Sequence, residues 1–135
     1  ALLKLMAADN ADFTNTFRAL SALGREAGTG DEGFVAGFAN REPVGEWLAA
    51  WRARLADEAR SDDARIAAMK AANPAIIPRN HQVEKAIAAA YAGDMGVFHG
   101  LEDALADPFA DRPADDPLTL PPAPEEVVHQ TFCGT

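Results

Sequence analysis

Apolar residues recur along most of the chain three and four positions apart, the spacing of a helix face, and almost nowhere alternate as in a strand. Leu2, Leu3 and Met6 suit a short first helix. Phe13, Phe17 and Leu20 share a face of a second, which Asp9 or Asn10 is placed to cap and Gly24 to follow. The stretch from Gly28 to Gly33 reads as a loop, with Asp31 capping a short turn that carries Phe34, Val35 and Phe38. The clearest helix starts at Pro43, a good first-turn residue, and repeats its apolar positions at Val44, Trp47, Leu48, Trp51 and Leu55.

Ser61, with Asp62 and Asp63, caps a further helix carrying Ile66 and Met69. It must stop near Asn73, because Pro74 disfavours the helical conformation in the residue before it. Asn73 to Asn80 is a connector stiffened by two prolines and anchored by Ile76 and Ile77. Asn80 then caps a helix with Val83, Ile87 and Tyr91 that ends at Gly93. Asp94 caps a last one with Met95, Phe98, Leu101 and Leu105, closed by Pro108. Only the short stretch Glu125 to Val128 reads as extended. The expected fold is all-α, a bundle of short helices.

Composition changes the weight of that core. Of the 135 residues 48% are apolar, but 30 are alanines, which favour helix and bury little area. The core is therefore thin for the length, as in a small bundle or a piece that packs on something larger. Charge and proline are unevenly spread. Nine acids and one base (Arg112) lie from Ala86 onward, and six of the nine prolines fall between Pro108 and Pro124. This divides the chain into a helical region, 1–107, whose first 85 residues are nearly neutral (twelve acids, eleven bases), and an extended acidic, proline-rich C-terminal tail, 108–135.

The net charge of −9 argues against a nucleic-acid partner, since phosphates need a basic footprint. No apolar run is long enough for a membrane span and no signal peptide is recognisable, so a cytoplasmic protein without a membrane partner is expected. The first residue is Ala1, which fits either processing or a cut from a longer chain.

Candidate chemistry is sparse. No P-loop, GxGxxG, HExxH or GxSxG motif occurs. Gly28-Thr29-Gly30 is superficially like a phosphate loop, but acids follow it and would repel a phosphate. His81, His99 and His129 are far apart, and each is read first as a surface or helix-end residue, with a general base as the sharper alternative. The acid pairs Asp31-Glu32, Asp62-Asp63, Asp115-Asp116 and Glu125-Glu126 match no calcium-loop spacing; capping explains the first two and solvation the others. Trp47 and Trp51, one turn apart, read as packing residues.

Arg79 can clamp an anion or, as favoured, tie helix ends through backbone carbonyls. Cys133, the single cysteine, lies two residues from the end, so it can form no disulfide within this chain and is the one candidate redox residue. Neighbouring acids oppose its activation as a nucleophile. No catalytic, cofactor-binding or metal-binding residue is assigned.

One ordered set of residues carries a resemblance. Asn73-Pro74-x-x-Ile77-x-Arg79-Asn80 is followed by Ala86-Ile87-x-x-Ala90, Gly93-Asp94, Leu101, Leu105 and Pro108. Upstream stands Ala11-Asp12-Phe13-Thr14-Asn15-Thr16-Phe17-Arg18-x-Leu20-Ser21, and the chain ends Cys133-Gly134-Thr135. Together they resemble the C-terminal region of the selenoprotein O family, in some members of which the terminal cysteine is selenocysteine. Pro78, where the family pattern has a leucine, and His81-Gln82-Val83 depart from it.

The resemblance implies the C-terminal helical part of a protein-kinase-like fold. It also implies an activity for the whole protein, transfer of AMP from ATP to protein hydroxyls with magnesium. The nucleotide-binding lysine, catalytic loop and metal-binding acids of that family belong to an earlier segment. The chain is thus expected to hold no cofactor itself and to partner the N-terminal catalytic part of the same polypeptide. The whole enzyme would engage protein substrates, and the isolated segment can be expected to form homodimers. Cys133 carries over as a terminal redox residue. The alternative is a free-standing helical interaction module using the Trp47/Trp51 face or the acidic tail. A small histidine acid–base enzyme is the third reading.

Overall fold

A computed structural model describes residues 1–28, 30–113 and 115–131. Among them are seven α-helices, α1 (Leu2–Asp9), α2 (Phe13–Ser21), α3 (Gly30–Ala36), α4 (Arg41–Leu55), α5 (Asp62–Ala72), α6 (Asn80–Tyr91) and α7 (Gly96–Leu105). A single 3-10 turn, Pro124–Glu126, follows, and no strand occurs among the described residues. The all-α expectation holds. Cys133 lies outside the described residues.

The helix positions follow the apolar periodicity, while several ends differ from expectation. Asn10 adopts a left-handed conformation (φ 52°) that closes α1, so the cap of α2 falls on Asp12, whose carboxylate accepts from the Asn15 amide at 2.8 Å. Asp9 instead accepts from the Asn40 amide at 2.9 Å. The expected loop at Gly28–Gly33 is helical from Gly30. α4 begins two residues before Pro43. Ser61 caps α5 as expected, accepting from the Ala64 amide at 3.3 Å. The cap positions of α6 and α7 are Arg79 and Met95, one residue off the expected Asn80 and Asp94, although the Asp94 carboxylate still accepts from the Gly96 amide at 2.8 Å. Gly93 sits at φ 91°, which a side chain would strain.

The chain divides into two compact units, Ala1–Pro74 and Ala75–Thr135. The compositional boundary at residue 107 falls inside the second.

The first unit has a continuous core. Leu2 and Met6 of α1, Leu20 and Leu23 around the end of α2, Phe34 and Phe38 of the α3 region, and Val44 and Leu48 of α4 are all buried together. Leu55 is buried as well. Trp47 and Trp51 are half-buried and stack on each other, ring centroids 6.3 Å apart. They pack against this core as the sequence suggests.

The second unit is an αα-hairpin of α6 and α7 followed by irregular chain. That chain is fastened to the start of α6. Arg79 donates to the Thr119 carbonyl at 3.0 Å, Gln82 to the Pro117 carbonyl at 3.1 Å, and Lys85 pairs with Glu126 at 2.6 Å. Arg79 therefore grips a carbonyl of the proline-rich segment, where a tie between helix ends was expected. Ile87 and Tyr91, apolar positions of α6, are 44% and 90% exposed.

Candidate functional site

Two polar clusters and one apolar groove are the places where chemistry or recognition can occur. In the first unit, α5 and the loop after α2 gather arginines. Arg65, on α5, is buried. It donates to the Leu23 carbonyl at 2.6 Å and to Asp62 at 3.2 Å, with its guanidinium 5.1 Å from the Trp51 ring centroid. Arg25 meets Asp62 at 3.1 Å and the carbonyls of Glu58 and Arg60. The Asp62 carboxyl is held below its ordinary range, first by the Arg25 amide and then by the Arg65 and Arg25 guanidinium groups.

Arg52 grips Asp31 with two nitrogens, at 2.6 and 2.7 Å, and also donates to the Gly24 carbonyl. This fork-to-fork pair lowers the Asp31 pKa and raises that of Arg52, the mutual hydrogen bond being the main cause of each. Arg18 donates to the Lys70 and Asn73 carbonyls at the end of α5, at 3.1 and 2.8 Å. These cations bind protein oxygens across long sequence separations. Their chemistry is structural.

The described residues do not fit a nucleotide–magnesium site. No group of three or more His, Cys, Asp or Glu able to hold a metal occurs among them. The first turn of α3 presents the Asp31 carboxylate, already bound to Arg52, where a phosphate would need donors. Thr29 lies outside the described residues.

In the second unit, a 300 Å³ cavity is lined by Arg79, Asn80, His81 and Glu126 together with Ile77, Pro78, Pro122, Val127 and Val128. His81 and Arg79 are buried. The Gln82 amide nitrogen lies 3.1 Å from His81 Nε2 while donating to Pro117, so its second hydrogen suits an unprotonated ring nitrogen. Burial pushes the His81 pKa below its usual 6.5, with Lys85 and Arg79 adding to the shift and Glu126 opposing it. His99 and His129 are exposed and lie outside this cavity. The structure thus does not bring the three histidines together.

The shift has a pH consequence. A depressed folded-state pKa means that the unfolded chain binds a proton first, so the contribution of His81 is fully present above 6.5 and is lost as pH falls through the folded-state value. The denaturation midpoint of α6, followed by amide exchange, is expected to fall between about pH 7 and pH 5. His81→Gln should flatten that step and His99→Gln should leave it. An unchanged step in His81→Gln rules the histidine out as its source.

The groove lies between α6 and α7. Val83, Ala86 and Ile87 line one side and Phe98, Leu101 and Leu105 the other, enclosing about 520 Å³, with Glu102 among the lining residues. The sequence places these residues on two helix faces but does not pair the faces into a groove. Their helical spacing was the signal; it gives a face without saying what covers it.

Residues 1–106 match the model of the family described as "Protein adenylyltransferase SelO". This chain belongs to the SelO family. Curated relatives agree. A "Protein nucleotidyltransferase YdiU" from Nitrobacter hamburgensis is 50% identical over 134 residues, covering 99% of this chain and 26% of that protein. Proteins of the same name from Rhizobium etli and a Jannaschia species are 47% and 48% identical, over 100% and 99% of this chain and 27% of each of theirs. This SelO-family chain therefore spans about a quarter of the length of the relatives it matches. No helix among its described residues is long and apolar enough to cross a membrane.

Proposed function

We propose that this chain is the C-terminal helical portion of a protein adenylyltransferase with a kinase-like fold, and that it is non-catalytic by itself. The longer polypeptide transfers AMP from ATP, with magnesium, to hydroxyls of protein substrates; this portion completes its helical lobe. The reading rests on one observation. Relatives named as protein nucleotidyltransferases match the chain from end to end at 47–50% identity, while the chain is only about a quarter of their length. The arginine network supports it, because cations suited to phosphate are spent on Asp31, Asp62 and backbone carbonyls.

Cys133 has a redox role in this reading. Its thiolate attacks a low-molecular-weight disulfide and releases one thiol. A cysteine elsewhere in the longer polypeptide then displaces the second thiol, leaving a protein disulfide.

Calorimetry tests the division of labour. The 135-residue chain with magnesium and ATP is expected to give no binding heat at micromolar concentration, while the longer polypeptide labels protein hydroxyls with AMP. Micromolar ATP binding by the chain alone overturns the non-catalytic reading, and failure of the longer polypeptide to transfer AMP overturns the enzymatic one.

A further inference from the structure

The second unit is short of core. Among the described residues its buried apolar ones are Ala75, Ile76 and Ala86, two of them alanines. α7 has no buried residue at all, although Val97 and Phe98 stand on it at 43% and 44% exposure and Met95 precedes it at 46%. A helix pair with a mostly apolar face open to water is unusual in a free-standing protein, where contiguous patches of this kind mark contact surfaces. The groove between α6 and α7 is lined from both helices by apolar side chains spaced three and four apart, the spacing that an amphipathic helix can match.

Its surroundings choose among occupants. From Asn80 to Asp107 the chain carries five acids, Glu84, Asp94, Glu102, Asp103 and Asp107, and one base, Lys85, which is paired with Glu126. Of these only Glu102 lines the groove, and a second copy docked groove to groove would bring this glutamate against its own equivalent. A helix with lysines or arginines along its flanks would be drawn to the rim, Glu102 included. The curated relatives extend well beyond this chain, which is 26–27% of their length. They have ample further sequence from which such a helix can come.

We infer that the α6/α7 groove seats an amphipathic helix with basic flanks, contributed by the part of the family polypeptide that lies outside this chain. The inference rests on the proposed function, in that it requires the longer polypeptide. The apolar face of the incoming helix fills the groove against Ile87, Phe98 and Leu105, and a flanking cation meets Glu102.

Photo-cross-linking in the longer polypeptide tests it. Phe98 is replaced by p-benzoylphenylalanine and the cross-linked peptides are mapped. Cross-links to a basic-flanked helical segment outside this chain are expected. Cross-links to residues 1–74, cross-links to a second copy, or none at all overturn the inference. Because the substituted protein can fail to fold, amide exchange on the unsubstituted proteins gives a second readout. The α7 amides should exchange on the order of tenfold more slowly in the longer polypeptide than in the 135-residue chain. Equal rates overturn the inference as well. AMP transfer is assayed on the same unsubstituted polypeptide. Activity without groove protection refutes the groove alone; absence of AMP transfer refutes the enzymatic reading, whatever the groove does.

Discussion

Phe34→Ala is expected to unfold the first unit or bring it close to unfolding. Phe34 is 1% exposed and lies at the centre of the core. Its ring sits 5.6 Å from Phe38 and 6.1 Å from Trp47, so it links α3 to α4. Removing a buried phenylalanine costs about 3–5 kcal/mol, the transfer energy of the ring plus the cavity it leaves. A unit of this size has a total stability of only about 5–10 kcal/mol, so the loss is most of what holds it. Thermal melts followed by tryptophan fluorescence report on this unit, because Trp47 and Trp51 are the only tryptophans and both belong to it. A fall in Tm of about 20 °C is expected. Phe13→Ala is the control. That ring is 63% exposed against Phe17, and its loss should cost under about 1 kcal/mol. Equal effects of the two substitutions would show that the core has been misplaced.

Phe34 also illustrates what local pattern conveys. The apolar positions at 34, 35 and 38, and those of α4 at Val44, Leu48 and Leu55, point to buried faces, and Phe34, Phe38, Val44, Leu48 and Leu55 are buried. Helix ends were less legible, because near-equivalent candidates compete locally and tertiary contacts decide between them. Asp9 and Asn10 were the expected caps of α2; the left-handed turn at Asn10 ends α1 there and leaves the role to Asp12. Gly30 reads as loop by propensity. It starts α3 because Asp31 is held by Arg52, twenty-one residues on, and because Leu23 closes over the glycine, where an added Cβ would lie 3.0 Å from a Leu23 methyl.

The candidate sites were hardest to read for the same reason. Arg65 stands beside Ile66 on a helix whose pattern does not single it out, yet it is buried. Its partner is a carbonyl 42 residues away, and nothing in the local spacing encodes that pairing. The family resemblance was legible because it depends on an ordered set of residues over the whole chain. The α6/α7 groove was half legible: the sequence places the apolar face on each helix, but a face reads the same whether this chain covers it or another segment does.

Arg65→Met should destabilise the first unit by about 3 kcal/mol, the second large effect expected here. Replacing a buried ion by an apolar side chain of similar length can be neutral when both partners of a pair are removed. Here only one is. Asp62 keeps the Arg25 amide and side chain, so it does not become an isolated charge. The Leu23 carbonyl, bonded at 2.6 Å in a buried setting, loses its donor. An orphaned buried acceptor costs about 1–3 kcal/mol, and the cation–π contact with Trp51 adds about 1 kcal/mol. Methionine keeps an apolar contact with Trp51 but supplies neither the donor nor the cation, so the loss it reads is the carbonyl's share together with the cation–π share. Arg65→Lys should recover part of the loss: a single guanidinium nitrogen makes both the Leu23 and the Asp62 bonds, so an ammonium can restore a donor to the carbonyl, but its shorter stem and compact head lose the planar contact with Trp51. Urea unfolding followed by fluorescence orders the three proteins, with wild type most stable, Arg65→Lys next and Arg65→Met least. A loss below about 1 kcal/mol for Arg65→Met would mean that water replaces the guanidinium at Leu23 and that the arginine contributes packing alone.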